Sequence, residues 1–256
     1  MSVTICIIDQ PSLVLNTSEA LTCEDACLQV CENLNIVPAA SPLFGLRYSN
    51  NNSHLFASPS DLLSQLDCAI YDFRLRFLPA LGKLSLIGSS ALDYVYRQVK
   101  NDFVEGKVKA FDAKQLQDEA LGLAVTAMYC QMQASRSPLK DILKNYKHFL
   151  PKTVLKNSGL LITSDCLKKN LKSVASNPPG EVWLCKKLFV EEVAKRDGEY
   201  FSELYPVKVE QLMDDESVSF TEYDLVIQPV TSENMLAGLK LQARKKKFVS
   251  TFISHW

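Results

Sequence analysis

The sequence lacks most of the short motifs that announce chemistry. Its nine glycines are scattered singly, with no G-x-G and no G-x-x-x-x-G-K. The backbone cradles that hold phosphates in nucleotide-binding folds are therefore missing. There is no H-R-D, no D-F-G and no G-x-S-x-G, which argues against a protein kinase catalytic domain or a hydrolase elbow. Histidines number three. The eight cysteines contain no C-x-x-C pair, which excludes a zinc ribbon and a thioredoxin-type motif. No apolar run approaches the roughly 20 residues that span a bilayer. The N-terminus has no basic region, and Asp9 interrupts its apolar run, so it does not read as a signal peptide.

Charge is equally uninformative at the scale of the whole molecule. Charged residues make up 22% of the chain and leave a net of −1, which argues against an electrostatic nucleic-acid binder. Hydrophobic residues make up 47% of the 256 positions, enough for one large core or several small ones. Cys23, Cys27 and Cys31 recur every four residues and share one helix face. Three ligands along one helix make a poor tetrahedral site, so they read as small buried apolar groups in a reducing, cytosolic chain. The sequons at Asn16 and Asn51 are incidental in such a compartment.

Three zones differ in texture. Residues 1–80 carry β-like runs at Val3–Ile8 and Ser12–Asn16 around a turn at Gln10-Pro11, then a helix that starts at Thr22 before Glu24 and Asp25. Strand candidates follow at Leu43–Tyr48, His54–Ala57 and Ala69–Phe77. Hairpin, helix and further strands form the order of a ubiquitin-like lobe.

Residues 89–176 are helical in period. Leu92, Val95, Val99 and Phe103 form one apolar stripe, with Arg97, Lys100 and Asn101 away from it and Gly106 as a stop. A second helix spans about 118–133 with Leu121, Val125, Met128 and Met132 inward, and Ser137-Pro138 marks a third start with proline at the first helical position. A fourth helix begins near Ser164 and carries Leu167, Leu171 and Val174, completing a compact bundle. After Asn177-Pro178-Pro179-Gly180, a helix to Arg196 and strands at Tyr200–Val209 and Phe220–Val230 give residues 181–256 the look of an unfinished strand lobe.

Candidate reactive groups are few. Cys130 or Cys185 with His148 could pair as nucleophile and base, but both cysteines fall on apolar helix faces. Glu191-Glu192 and Asp214-Asp215 read as solvated faces, since adjacent helical positions diverge by about 100°. The positive feature is a basic surface. Between Ser137 and Ser176, eight lysines stand against Asp141 and Asp165, a local balance of 8 − 2 = +6. Such a surface suits an acidic partner or anionic phospholipid headgroups, or is simply a solubilising face. The run Arg244-Lys245-Lys246-Lys247 reads as a solvated basic tail.

Several stretches resemble one family. ALDYVYRQVKNDFVEGKV at 91–108, DEALGLAVTAM at 118–128 and NYKHFLPKTVL at 145–155 are similar to the helical lobe of the FERM module in Janus tyrosine kinases. PLFGLRY at 42–48 and DFRLRFLP at 72–79 resemble the last strands of its ubiquitin-like lobe. Focal adhesion kinases share some of these pieces and are the close competitor. The resemblance implies an α+β, multi-lobe FERM-like fold. Its lobes would be ubiquitin-like over 1–80, a four-helix acyl-CoA-binding-protein-like bundle over 89–176, and a helix plus incomplete PH/PTB-like strands over 181–256.

It further implies a non-catalytic docking role without a cofactor or metal. The module would bind the membrane-proximal cytoplasmic segment of cytokine receptors, placing it in the cytoplasm at the inner face of membranes. By position in the pattern, the docking residues would be Tyr146, Lys147, His148, Phe149 and Leu150, with Lys168, Lys169 and Lys172. Phe149 and Leu150 are expected to supply the apolar anchor. The alternative is a membrane–cytoskeleton linker of the focal adhesion or ezrin type that binds phosphoinositides.

Overall fold

The computed structural model describes residues 2–16, 20–50, 53–157, 160–178, 180–212, 218–232 and 235–245. Thr17 and Ser18 of the first sequon, Asn51 and Asn52 of the second, Asp214-Asp215, Lys246-Lys247 and His255 lie outside them.

The first lobe follows from alternation. β1 (Ser2–Cys6) places Val3 and Ile5 inward, and β2 (Leu13–Asn16) returns antiparallel through Ser2↔Asn16 to Ile5↔Leu13. β3 (Phe44–Asn50), β4 (Ser53–Phe56) and β5 (Ile70–Leu75) complete a five-stranded sheet in the order β2-β1-β5-β3-β4, with β1 and β5 parallel. α1 (Cys23–Asn33) lays Ala26, Cys27, Val30 and Cys31 into the core of this lobe.

The start of α1 is a full capping box. Thr22 Oγ1 accepts from the Asp25 amide at 3.1 Å, and Asp25 accepts from the Thr22 amide at 3.1 Å. Thr22→Ala is expected to cost about 1 kcal/mol in urea unfolding, because an orphan helix amide loses its acceptor. Cys23 and Cys27 are pushed up to about 12 and Cys31 to about 11, in each case chiefly by burial. The three thiols are packing groups.

The helical lobe begins with α2 (Ser89–Val104), whose stripe of Leu92, Val95, Val99 and Phe103 is entirely buried. Gly106 follows in the left-handed region at φ 74°, as its place after the helix requires. α3 (Gln117–Ser135) buries Val125 and Met128 fully, while Leu121 and Met132 pack at the margin of the core.

The next helices shift relative to the sequence expectation. α4 (Leu139–Lys144) has Pro138 as its cap, one position earlier than the first helical residue. The Ser137 hydroxyl is engaged by Ser135 Oγ at 2.8 Å and leaves the helix amides uncapped. A short additional helix, α5 (Lys152–Asn157), precedes α6 (Leu160–Ser176), which starts four residues before Ser164 and buries Leu167 and Leu171.

α7 (Val182–Arg196) packs on α2 and α3, although the sequence groups it with the strands that follow. Its Phe189 ring meets Tyr96 at 5.3 Å and Phe103 at 5.7 Å, both edge to face.

The last lobe is an antiparallel meander of β6 (Glu203–Leu212), β7 (Val218–Ser232) and β8 (Met235–Lys245). β8 adds a strand beyond the two that the sequence marks in this region. It pairs with β7 from Ser232↔Met235 to Tyr223↔Lys245 across an irregularity at Val230/Thr231. Arg244 is thus a strand residue and not part of a basic tail. Its guanidinium donates to both Glu199 carboxylate oxygens, at 3.0 and 2.7 Å.

The lobes are joined by side chains. Beyond the Cys6↔Asp72 pairing, β5 runs past β1. There the Leu75 amide donates to Gln98 Oε1 at 2.7 Å, and the Tyr94 hydroxyl donates to the Phe73 carbonyl at 2.7 Å. Both partners sit on α2.

Candidate functional site

The lysine-rich surface is where the expected docking residues fall. α6 turns Leu167 and Leu171 into the core, and the helical period leaves Lys168, Lys169 and Lys172 exposed on the outer side. Tyr146 to Phe149 form a single 3-10 turn. In it Lys147 and His148 are exposed, and Tyr146 is half-buried against the core.

Phe149 and Leu150 are core residues, 8% and 0% exposed. They cannot serve as the apolar anchor for a bound peptide while the lobe is folded this way. The turn is short, so burying Phe149 at its end and Leu150 just after it fixes the lysine and histidine outward. Two lysines of the surface are already engaged: Lys144 with Asp141 and Lys152 with Glu105, each at 3.2 Å. Among the described residues, Lys147, Lys168, Lys169 and Lys172 form no ion pair.

A second polar centre was not visible in the sequence. Where the three lobes meet, Arg74 from β5 forms an ion pair with Asp102 from α2, and both are almost fully buried. The Tyr200 hydroxyl donates to Asp102 Oδ2 at 2.6 Å, and Lys107 Nζ donates to Oδ1 at 3.2 Å. Burial opposes the Asp102 carboxylate, but Arg74, Tyr200 and Lys107 together hold its carboxyl below the usual carboxylate range. The same burial pushes the Tyr200 hydroxyl far up, so it stays a donor.

This junction opens into a cleft of about 650 Å³. The arginines lining it are matched with acids: Arg47 with Asp72, Arg74 with Asp102 and Arg76 with Glu203. With its arginines answered by carboxylates, the cleft joins lobes and offers a poor anion site.

The reactive alternatives weaken. Cys130 and Cys185 are buried, and burial raises both thiols, Cys130 to about 11, the opposite of an activated nucleophile. Among the described residues, no group of His, Cys, Asp and Glu could hold a metal ion, and no helix is long and apolar enough to cross a membrane.

Mixed five-stranded sheet with a crossing helix, helical bundle and antiparallel meander, in that order, make up a FERM fold. Residues 85–165 match the FERM F2 acyl-CoA binding protein-like domain family. The fold is shared with the MyTH4-FERM MF2 domain of Dictyostelium discoideum myosin VII. That likeness has a TM-score of 0.64 at 14% identity, over 97% of this chain and 50% of that one. It is shared too with the FERM and C-terminal domain complex of Drosophila Merlin, at TM-score 0.62 and 15% identity over 99% and 87%.

In sequence, the chain has a tyrosine-kinase relative. The chain is 26% identical to the tyrosine-protein kinase hopscotch of Drosophila melanogaster over 77% of its own length. It spans 18% of that relative.

Proposed function

We propose that this chain is a non-catalytic docking module, which grips the membrane-proximal cytoplasmic segment of a cytokine receptor during intracellular signalling. It would work in the cytoplasm, at the inner face of a membrane, held there by the receptor. The observation that carries this reading is the outward set Lys168, Lys169 and Lys172 on α6, together with the exposed Lys147 and His148. That set sits on a helical lobe of the FERM F2 type in a chain related to a tyrosine kinase.

Unpaired lysines steer an acidic juxtamembrane peptide and set its orientation. Tyr146, half-exposed at the rim, offers the remaining aromatic contact. Phe149 and Leu150 support the turn from beneath. Any phosphoryl transfer would belong to a longer parent polypeptide. The lobes are proposed to divide as 1–80, 89–176 and 181–256, with α7 clamped on the bundle.

The test is titration with a panel of receptor juxtamembrane peptides. The combined K168E, K169E and K172E variant should bind at least ten-fold more weakly, with a flatter dependence on salt. A panel without any saturable signal would sink the proposal. Headgroup-dependent capture on vesicles with no peptide present would favour the membrane–cytoskeleton linker instead.

A further inference from the structure

α2 carries a polar face that the core does not use, and it is not simply solvated. Two clefts, of about 400 and 330 Å³, adjoin at the bridged side chains of Asp93, Arg97 and Lys186 and line a groove along this face. One end is the more apolar, walled by Leu34 of the first lobe and by Leu92, Val182 and Trp183, with Ser89 and Ser90 among them. The other end is polar, walled by Asp9 and Gln10 from the β1–β2 turn, Lys100 and Gln131.

The middle of the groove has more cation than acid. Asp93 is shared between Arg97 Nε at 3.0 Å and Lys186 Nζ, so one carboxylate answers two cations. Lys100 reaches Asp9 at 3.8 Å, leaving three cations against two acids. Arg97 Nε, though close to Asp93, has no acceptor in hydrogen-bond geometry among the described residues. Arg97 and Lys186 lie over the rings of Tyr94 and Tyr96, at 5.7 and 5.6 Å, which fixes their stems and aims their heads into the groove. At the apolar end, Trp183 is 44% exposed, with its indole N–H held by Glu181 at 2.7 Å.

We infer that this groove between the first lobe and the α2–α7 pair is a second docking site. Its occupant is an extended acidic peptide segment that carries one bulky apolar residue. The apolar residue packs on Trp183, and the carboxylates that follow it meet Arg97, Lys186 and Lys100. Tryptophan and arginine are among the residue types enriched where binding energy concentrates in interfaces. A polyphosphorylated headgroup fits less well, because Asp93 and Asp9 sit among the cations and the site is recessed between two lobes. The inference does not depend on the lysine face of α6, which lies on different helix positions.

The experiment uses the full chain and an array of fluorescein-labelled twelve-residue peptides. Each has one Trp, Phe or Leu followed by aspartates and glutamates, with matched arrays that carry lysines or lack the apolar residue. Saturable binding is expected for acidic, apolar-anchored members alone. It should weaken at least ten-fold in R97E and several-fold in W183A and K186M, and persist in the combined K168E, K169E and K172E variant. Circular dichroism confirms the fold of each variant, and the half-exposed Trp183 provides a substitution that does not disturb the core.

Absence of saturation up to about 1 mM overturns the inference. So does binding that ignores both R97E and W183A, or that is lost only with the α6 lysines. Arg97-dependent sedimentation with phosphoinositide vesicles, without peptide binding, overturns it in favour of a headgroup. Because the two surfaces are tested by separate variants, failure here leaves the receptor-docking proposal to stand or fall on its own titration.

Discussion

Asp102→Ala will destabilise the chain by about 3–5 kcal/mol, because it strands the Arg74 guanidinium in the junction without its acid. Arg74 is 5% exposed and Asp102 0%, so the stranded guanidinium is poorly hydrated where it lies. Tyr200 and Lys107 lose their acceptor in the same substitution. Urea unfolding followed by circular dichroism measures the effect, and a loss below about 1 kcal/mol would contradict the buried pairing. Replacing both partners by apolar residues, R74M with D102L, should recover much of the loss, since neither charge is then buried alone.

The pH dependence has a definite sign. The carboxyl of Asp102 titrates lower in the folded chain than in the unfolded one. Its contribution to stability is therefore complete above the unfolded value, near pH 4, and drains away as the pH falls through the folded value. Between pH 5 and 2 the parent chain should lose stability more steeply than D102A, and a parallel pair of curves would contradict this assignment.

Phe189→Ala is expected to cost about 3–5 kcal/mol, as removal of a fully enclosed ring does when neighbours cannot close the space. Its neighbours Tyr96 and Phe103 are themselves buried on α2. Leu188→Ala, one position earlier and 45% exposed, should change stability by less than about 0.5 kcal/mol. Equal effects at the two positions would mean that α7 does not pack on the bundle through this face.

The difference between what was and was not legible lies in the range of each interaction. The α1 cap and the α2 stripe were readable because both arise from residues three or four apart. The turn at Tyr146–Phe149 was legible only in part. Phe149 and Leu150 look like an accessible apolar pair, but their burial depends on how α2 and α3 pack against the turn. Gln98 and Asp102 escaped notice as core polar groups, although each lies three residues beyond a stripe residue, Val95 and Val99. Their purpose depends on Arg74 and Tyr200, and no periodicity brings 74, 102 and 200 together. β8 was missed because few local signals mark it. Its alternation of Leu239, Leu241 and Ala243 with Lys240, Gln242 and Arg244 was the available clue.

The bonds from Gln98 and Tyr94 to the end of β5 mean that α2 stands in for a missing strand. The sheet borrows two of its backbone partners from the next lobe. Cutting the chain between the first two lobes would leave the Leu75 amide and the Phe73 carbonyl bare at a buried edge. The ubiquitin-like unit and the first helix of the bundle therefore open as one cooperative unit, and the Leu75 amide should exchange its proton at the pace of α2.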